Sequence, residues 1–321
     1  MEKVKWGVLG TADIARGQTI PGMQLAEHCE LYAIAGRNPE KAEKYREEFG
    51  FRKSCSYSDL LDDPEVQAVY IPLPNDLHCE WTVRALKAKK HVLCEKPLAV
   101  SETQAQEMFR SAEENGVLLM EAFAYLHSPF VQAVKAELDA GAIGEIRYFE
   151  SAFITGRRPD TDIRLRRETY GGSMYDLGCY CVSMAMWMLG KEPDEVLASA
   201  RFSDRKIDLF TSALLLYNGG TVANLDCGMV LPAGRLDRFH MYGTFGEIVS
   251  PFEFNQCGEI PYTVIRGGAR ETKTVSVQNN YALEAEQLSK CILFGEKPHV
   301  SKEFSLLTAR VTDRILRTIG Y

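Results

Sequence analysis

The sequence predicts an α/β chain in two parts. The first, over residues 1–125, is a doubly wound parallel sheet; the second, over 126–321, is an α+β unit with a large, open, mostly antiparallel sheet. Residues 4–120 alternate short β-branched runs with polar-faced helical patterns, the rhythm of parallel strands joined by crossover helices. After about residue 125, strand patterns follow one another without intervening helices, which is the rhythm of hairpins and meanders. A length of 321 residues, 45% of them apolar and 25% charged, suits two domains with real cores and argues against disordered, collagenous and coiled-coil classes.

Taken in order, Val4–Leu9 reads as a strand, 13–24 as a helix and Glu30–Ala35 as a second strand. Asn38-Pro39-Glu40 then opens a charged helix to Phe49, with Pro at an acceptable first-turn position. Strand patterns follow at 53–55, 66–71, 91–94 and 117–120, with helices at 76–88 and 102–115 between them. In the second part the strand patterns are 146–155, 195–203, 208–217, 221–230, 236–242 and 246–250. Tyr217-Asn218-Gly219-Gly220-Thr221 carries the Asn-Gly hairpin signal between two of them. One apolar helix, about 172–189, precedes these strands, and two more, 280–294 and 302–318, follow.

Thirty-seven Lys and Arg against 44 Asp and Glu leave a net charge of -7, which speaks against a nucleic-acid backbone or an anionic membrane as partner and makes a small molecule the default. The opening residues offer too short an apolar run for a signal peptide, and Cys179–Leu189, the longest nearly apolar stretch, is about half a membrane span. Nine cysteines form an odd set without a C-x-x-C pair, so reduced thiols and a cytoplasmic location are expected. Cys179-x-Cys181 lies in a helical pattern where i and i+2 diverge by about 200°, and the histidines at 28, 78, 91, 127, 240 and 299 have no ligand spacing; no metal is expected.

The first strand runs into Gly10-Thr11-Ala12-Asp13-Ile14-Ala15 and then a helix, a G-x-G-x-x-G/A match with Ala in the second and third glycine places. At the first β-to-α turn of a Rossmann-like pattern, the helix N-terminus and a side-chain-poor loop can cradle a pyrophosphate. The end of the second strand discriminates the cofactor, because an acidic side chain there binds a ribose 2'-hydroxyl and an arginine accepts a 2'-phosphate. Ala35-Gly36-Arg37-Asn38 has no carboxylate, so NADP is favoured, with NAD as the alternative.

Ligands of open α/β sheets lie outside the carboxyl ends of the strands, where Pro72-Leu73-Pro74-Asn75-Asp76-Leu77-His78 and Cys94-Glu95-Lys96-Pro97 fall. Leu73, Pro74, Asn75, His78, Glu95 and Lys96 therefore join Gly10, Thr11, Ala12, Asp13, Ile14, Arg37 and Asn38 as cofactor-binding candidates. Lys96, followed by Pro97, is held extended at a strand exit. For Asn75 and His78 the competing reading is an Asx-type helix cap with a first-turn histidine. In Gly171-Gly172-Ser173-Met174-Tyr175-Asp176-Leu177-Gly178-Cys179-Tyr180, Asp176 and Tyr180 share one face of an otherwise apolar helix, so each needs a partner or a job.

The ordered set Gly10-x-Ala12-x-x-Ala15, Pro74-Asn75-x-x-His78, Glu95-Lys96-Pro97, Met120-Glu121-Ala122-Phe123, Ile163-Arg164-Leu165, Gly171-Gly172 and Asp176-x-Gly178-x-Tyr180 resembles the Gfo/Idh/MocA oxidoreductases over essentially the whole chain. Tyr at 180, where His is commoner, resembles the branch of dimeric dihydrodiol dehydrogenases, NADP-dependent xylose dehydrogenases and glucose-fructose oxidoreductase. The resemblance implies that Lys96 and Tyr180 act on a substrate hydroxyl or carbonyl, with Asp176 orienting the site. The chemistry agrees, since hydride transfer requires a proton to leave or join the same oxygen, and a Tyr serves near neutrality only with a cation beside it. Whether Lys96 or Tyr180 carries the proton stays open.

The expected substrate is a sugar, sugar derivative or vicinal diol, with Tyr125, Phe153 and Arg164 as pocket candidates. Ala124-Tyr125-Leu126-His127-Ser128-Pro129 lacks an Arg common among relatives and shifts the His, which leaves the substrate's identity open. The alternatives are an NAD-linked cyclitol dehydrogenase and a non-catalytic NAD(P)-sensing regulator on the same fold. The carboxyl-terminal strands, including 213–217 and 222–225, carry more apolar residues than one helix-covered face uses, so a homodimer or homotetramer through that sheet is expected.

Overall fold

The computed structural model describes residues 2–251 and 253–321. It divides into two compact units, one comprising the chain up to His127 together with Asn279–Ser305, the other Ser128–Gln278 with Leu306–Tyr321.

In the first unit β1 (Val4–Leu9), β2 (Cys29–Ala35), β3 (Lys53–Cys55), β4 (Ala68–Ile71), β5 (His91–Glu95) and β6 (Leu119–Ala122) form one parallel sheet in the order β3-β2-β1-β4-β5-β6. This is the doubly wound order in which the strand sequence reverses beside β1 and β4 and leaves a ligand crevice at their carboxyl ends. The helices are α1 (Ile20–Leu25), entered through a π-helical turn at Ala15–Thr19, then α2 (Pro39–Phe49), α3 (Tyr57–Asp62), α4 (Asn75–Lys87) and α5 (Glu102–Asn115). The central strands β1, β4 and β5 are buried on both faces, as near-continuous apolar runs require. α3 escapes the periodicity reading because it is short; Ser56 and Asp59 start it with a reciprocal capping box.

The second unit begins with α6 (Pro129–Asp139), which sequence periodicity also missed, and β7 (Ile146–Gly156). α7 (Cys179–Leu189) follows, entered through a π-helical turn at Met174–Gly178. β8 (Glu195–Phe202), β9 (Asp208–Leu216), β10 (Val222–Leu231), β11 (Arg235–Gly243), β12 (Gly246–Ser250), β13 (Gly258–Arg266) and β14 (Ala269–Val277) complete an eight-stranded sheet in the order β14-β13-β12-β11-β7-β10-β9-β8. β7 and β10 pair in parallel at the centre and every other pair is antiparallel. The expected hairpin forms at 217–221, with Gly219 and Gly220 both at positive φ. One face of the sheet, including Phe149, Leu215, Leu225, Phe239, Met241 and Ile248, is buried. The other face leaves Leu197, Leu214, Leu236 and Tyr242 exposed, with Leu197 opposite Leu214 and Tyr148 opposite Tyr242.

α8 (Asn280–Phe294) and α9 (Lys302–Ile319) end the chain. α8 packs on the first sheet, so Asn279–Ser305 clusters with the unit that ends at His127. Ala285, Leu288 and Cys291 bury their side chains, and Ser289 accepts the indole N–H of Trp6 in β1 at 3.1 Å. Gly22 in α1 makes the close approach feasible: a Cβ there would stand 2.7 Å from Tyr281 Cβ.

Candidate active site

On the first unit, the β1–helix turn places Gly10 at φ 139°, a conformation open to glycine alone, and a Cβ would stand 3.1 Å from Leu73 Cδ2. The ends of β1 and β4 thus meet at Gly10 and Leu73. Thr11 and Ala12 form the loop, and Asp13 and Ile14 begin the helix, so its unpaired N–H groups border a surface of small side chains. Beside it, Gly36 lacks the Cβ that would stand 3.1 Å from Thr11 Cγ2 and 3.2 Å from the Cβ of Ala42.

A cavity of about 490 Å³ opens past the end of β2, lined by Gly36, Arg37, Pro39, Ala42 and residues 54–58. Arg37 is exposed at this cavity, near Tyr57, and Lys41 Nζ donates to Thr11 O at 2.6 Å. The described lining residues include three serine hydroxyls and no carboxylate. Asn38 is committed to capping α2, accepting the Lys41 N–H at 3.0 Å. A side-chain-poor loop at a helix start and an arginine-bearing cavity without a lining carboxylate beside it fit a dinucleotide with a 2'-phosphate.

Further along the same sheet edge, Pro74 occupies the N-cap of α4 and Asn75 and His78 fall in its first turn. His78 is fully buried, its Nε2 2.7 Å from Leu73 O and its Nδ1 2.8 Å from Pro97 O; burial pushes its pKa down. In its neutral form it donates to only one of these two carbonyls at a time. Glu95 is buried at the end of β5, accepting from the Tyr70 hydroxyl at 2.6 Å and from the Lys96 N–H at 3.2 Å. In the stretch 92–100 Lys96 alone is partly exposed. Tyr125 is fully buried and edge-on to Phe123.

On the second unit, the Gly171-Gly172 pair sets the start of the helix. A Cβ on Gly171 would fall 2.3 Å from Arg164 O, and one on Gly172, at φ 114°, 2.0 Å from Asp208 Oδ1. Asp208, fully buried, accepts from Ser173 Oγ (2.7 Å), Met174 N (2.8 Å) and Thr211 Oγ1 (2.9 Å), and burial pushes its carboxyl above the usual range. Gly178 has a packing reason, since a Cβ would stand 2.6 Å from Met174 Sδ and 2.9 Å from Cys227 Sγ. Between 171 and 186 only Asp176 and Tyr180 are partly exposed.

Arg164 Nε pairs with Asp176 Oδ2 at 2.9 Å, and Arg158 approaches the same oxygen at 3.5 Å. Asp176 in turn raises the pKa of Arg164, which is fixed as a cation. Tyr180 stands in an aromatic setting, its ring 5.3 Å from Phe153 and 5.1 Å from Phe254, with the Arg235 guanidinium 4.5 Å from the Phe153 ring centroid. The expected pair Asp176–Tyr180 therefore meets Arg164 and Phe153 on one unit. Arg158, Arg235 and Phe254 were not foreseen. Of these only Arg158, at the exit of an apolar strand, had a local signal.

Two family models match the chain in succession: an oxidoreductase family with an NAD-binding Rossmann fold over residues 4–123, and a GFO/IDH/MocA C-terminal domain over 131–249. A dTDP-3,4-didehydro-2,6-dideoxy-alpha-D-glucose 3-reductase from Actinomadura kijaniata is 34% identical over 97% of this chain and 94% of its own. The chain belongs to the GFO/IDH/MocA oxidoreductase family. Another GFO/IDH/MocA relative, a D-xylose 1-dehydrogenase (NADP(+)) from Haloferax volcanii, is 36% identical over 97% of this chain and 95% of its own. Among solved structures, a 3-ketoreductase from Actinomadura kijaniata in complex with NADP and TDP-benzene superposes with a TM-score of 0.93, at 34% identity, over 99% of this chain and 98% of that one. Among the described residues, no helix is long and apolar enough to cross a membrane.

Proposed function

We propose that this chain is an NADP(H)-dependent oxidoreductase that moves hydride between the nicotinamide and a hydroxyl- or carbonyl-bearing carbon of a sugar, sugar derivative or vicinal diol. The observation that carries the cofactor is the acid-free cavity beside Gly36 and Arg37, where a 2'-phosphate meets a guanidinium and an acidic ribose clamp is missing. When bound, the cofactor supplies or accepts the hydride at its nicotinamide ring. The loop 10–14 holds its pyrophosphate, and the segments at 73–75 and 95–96 border its ring end.

The proton is assigned to Tyr180, the cation of the reaction to Lys96, and the orienting carboxylate to Asp176. Arg164 and Arg158 pair with the Asp176 carboxylate at 2.9 and 3.5 Å, which fixes its orientation beside Tyr180. Phe153 and Phe254 offer an apolar wall to the less polar face of a sugar or diol ring. Reduction of a nucleotide-linked 3-ketosugar is a second reading, favoured by the whole-length likeness to the Actinomadura 3-ketoreductase.

A panel of aldoses, polyols, trans-diols and nucleotide-linked ketosugars, followed by nicotinamide absorbance with each cofactor, tests both. Tight NADPH binding without turnover on any of them would favour a sensor instead. We further assign the exposed face of the second sheet to a second copy of the chain, in a dimer or tetramer. All nine cysteines are free thiols, which supports a reducing, cytoplasmic setting.

A further inference from the structure

Three consecutive residues of the loop that carries Lys96 are held by buried side chains. Glu95 Oε2 accepts the Lys96 N–H at 3.2 Å, His78 Nδ1 lies 2.8 Å from the Pro97 carbonyl, and Glu121 Oε1 accepts the Leu98 N–H at 2.8 Å. Glu121 projects from β6, where its register partner is Cys94 of β5, and it is 3% exposed. A carboxyl this deep is retained as an anion only where donors or a cation reward its charge.

The groups facing Glu121 are Glu95 and Lys96 from β5 and its exit loop, and the Ser305 hydroxyl from the first turn of α9. Glu284 of α8 and Tyr70 of β4 face Glu95 in turn, and burial pushes the pKa of each up. Lys96 is thus the cation among the described groups whose charge acts on Glu121.

We infer that Glu121 is a positioning residue for Lys96: its carboxylate fixes the 96–98 turn through Leu98 and favours the charged lysine, and its protonation withdraws that support. The inference rests on the reading of Lys96 as the cation of the active site. Burial pushes the Glu121 carboxyl up to about 7, against the lowering effect of the Leu98 N–H, so the change falls near neutrality. Above that pH the carboxylate and the charged lysine support each other; below it the carboxyl is neutral. His78 titrates lower, because burial pushes it down from the usual imidazole range. The rate profile against pH therefore has an acid limb near 7 that belongs to Glu121.

Glu121→Gln keeps the size of the side chain and an oxygen for Leu98 while removing the charge. We expect kcat/KM at about pH 8 to fall about tenfold, the scale of exchanging a charge-assisted hydrogen bond for a neutral one. The acid limb should disappear, and NADPH affinity, read by fluorescence titration, should stay at the parent's level. A limb that persists in Glu121→Gln, or equal losses of rate and NADPH affinity at every pH, would overturn the inference. An independent reading comes from infrared difference spectra, which should show a buried carboxylic C=O band titrating between about pH 6 and 8 both in the parent and in Glu284→Gln, so that the band is not that of Glu284. Absence of a titrating band in that window overturns the inference even if the glutamine variant fails to fold. Lys96→Met separates the two readings. Parent-level rates in that variant would remove the role of Lys96 and this inference with it; an inactive Lys96→Met beside a persisting limb in Glu121→Gln would remove the Glu121 assignment alone.

Discussion

Arg37→Ala is the perturbation that most directly tests the choice of cofactor. The guanidinium stands exposed at a cavity of about 490 Å³ whose described lining has no carboxylate. A charge-assisted contact to a phosphate contributes about 1.5–3 kcal/mol, and exposure to solvent brings this to the lower end, about 1.5 kcal/mol or roughly tenfold in Kd. Two of the three neighbouring hydroxyls are already committed, Ser54 Oγ donating to Glu43 at 2.5 Å and Ser56 Oγ to Asp59 at 2.6 Å, so they cannot make up the loss. NADH lacks the 2'-phosphate and should bind the variant as it binds the parent. Fluorescence titration with both cofactors, at low salt and at about 0.5 M, reads the effect, and the parent's preference for NADPH should be the more salt-sensitive. Equal affinities for both cofactors in the parent, or equal weakening of both in Arg37→Ala, would refute the reasoning.

Tyr180→Phe keeps the ring against Phe153 and Phe254 and should lower kcat by about a hundred- to ten-thousandfold with NADPH affinity unchanged; near-parent kcat would pass the proton to Lys96. Gly172→Ala puts a Cβ 2.0 Å from Asp208 Oδ1 at φ 114°, so urea unfolding should show a loss of about 3 kcal/mol or more, and an unchanged midpoint would contradict the packing described. His127 is half-buried, and desolvation lowers its pKa to about 3, below the unfolded value of about 6.5. The fold therefore keeps it neutral, and as pH falls from about 6.5 toward 3 the unfolded chain takes up a proton that the folded one refuses. His127→Phe should flatten the loss of stability in that window by up to about 1.4 kcal/mol per pH unit, as measured by denaturant titration at several pH values. Leu214→Glu, opposite Leu197 on the exposed sheet face, should reduce the assembly to monomers in light scattering, whereas a parent that is already monomeric at micromolar concentration would remove the proposed interface.

Much of the fold was legible because its signals are local. β1, α2, β3, α5, β12 and α8 fall at the residues that periodicity and capping mark. β13 and β14 were missed because Pro261 interrupts one and Ala269-Arg270-Glu271-Thr272-Lys273-Thr274 gives the other an exposed, charged edge with little alternation. α6 was missed because Ser128-Pro129 reads as a break, although Pro at the first helical position is a legitimate start. The parallel pairing of β7 with β10 is non-local, and nothing in either strand announces it. The site divides in the same way. Gly10, Arg37, Lys96, Asp176 and Tyr180 sit in short stretches whose backbone needs show in sequence, whereas Arg235 and Phe254 reach Tyr180 through strand register and a later loop.

The return of α8 to the first sheet bears on how the chain is made. Synthesis delivers the six parallel strands early, but Trp6, Cys29 and the flank of Gly22 meet their partners Ser289 and Tyr281 only after the whole second sheet has been translated. The nucleotide-binding half therefore cannot finish its core ahead of the rest, contrary to the usual amino-terminal-first order of multidomain chains. A nascent chain stopped before residue 279 leaves that apolar flank open to chaperones. A chimera that exchanges this half with another family member has to carry 279–305 along with the first 127 residues.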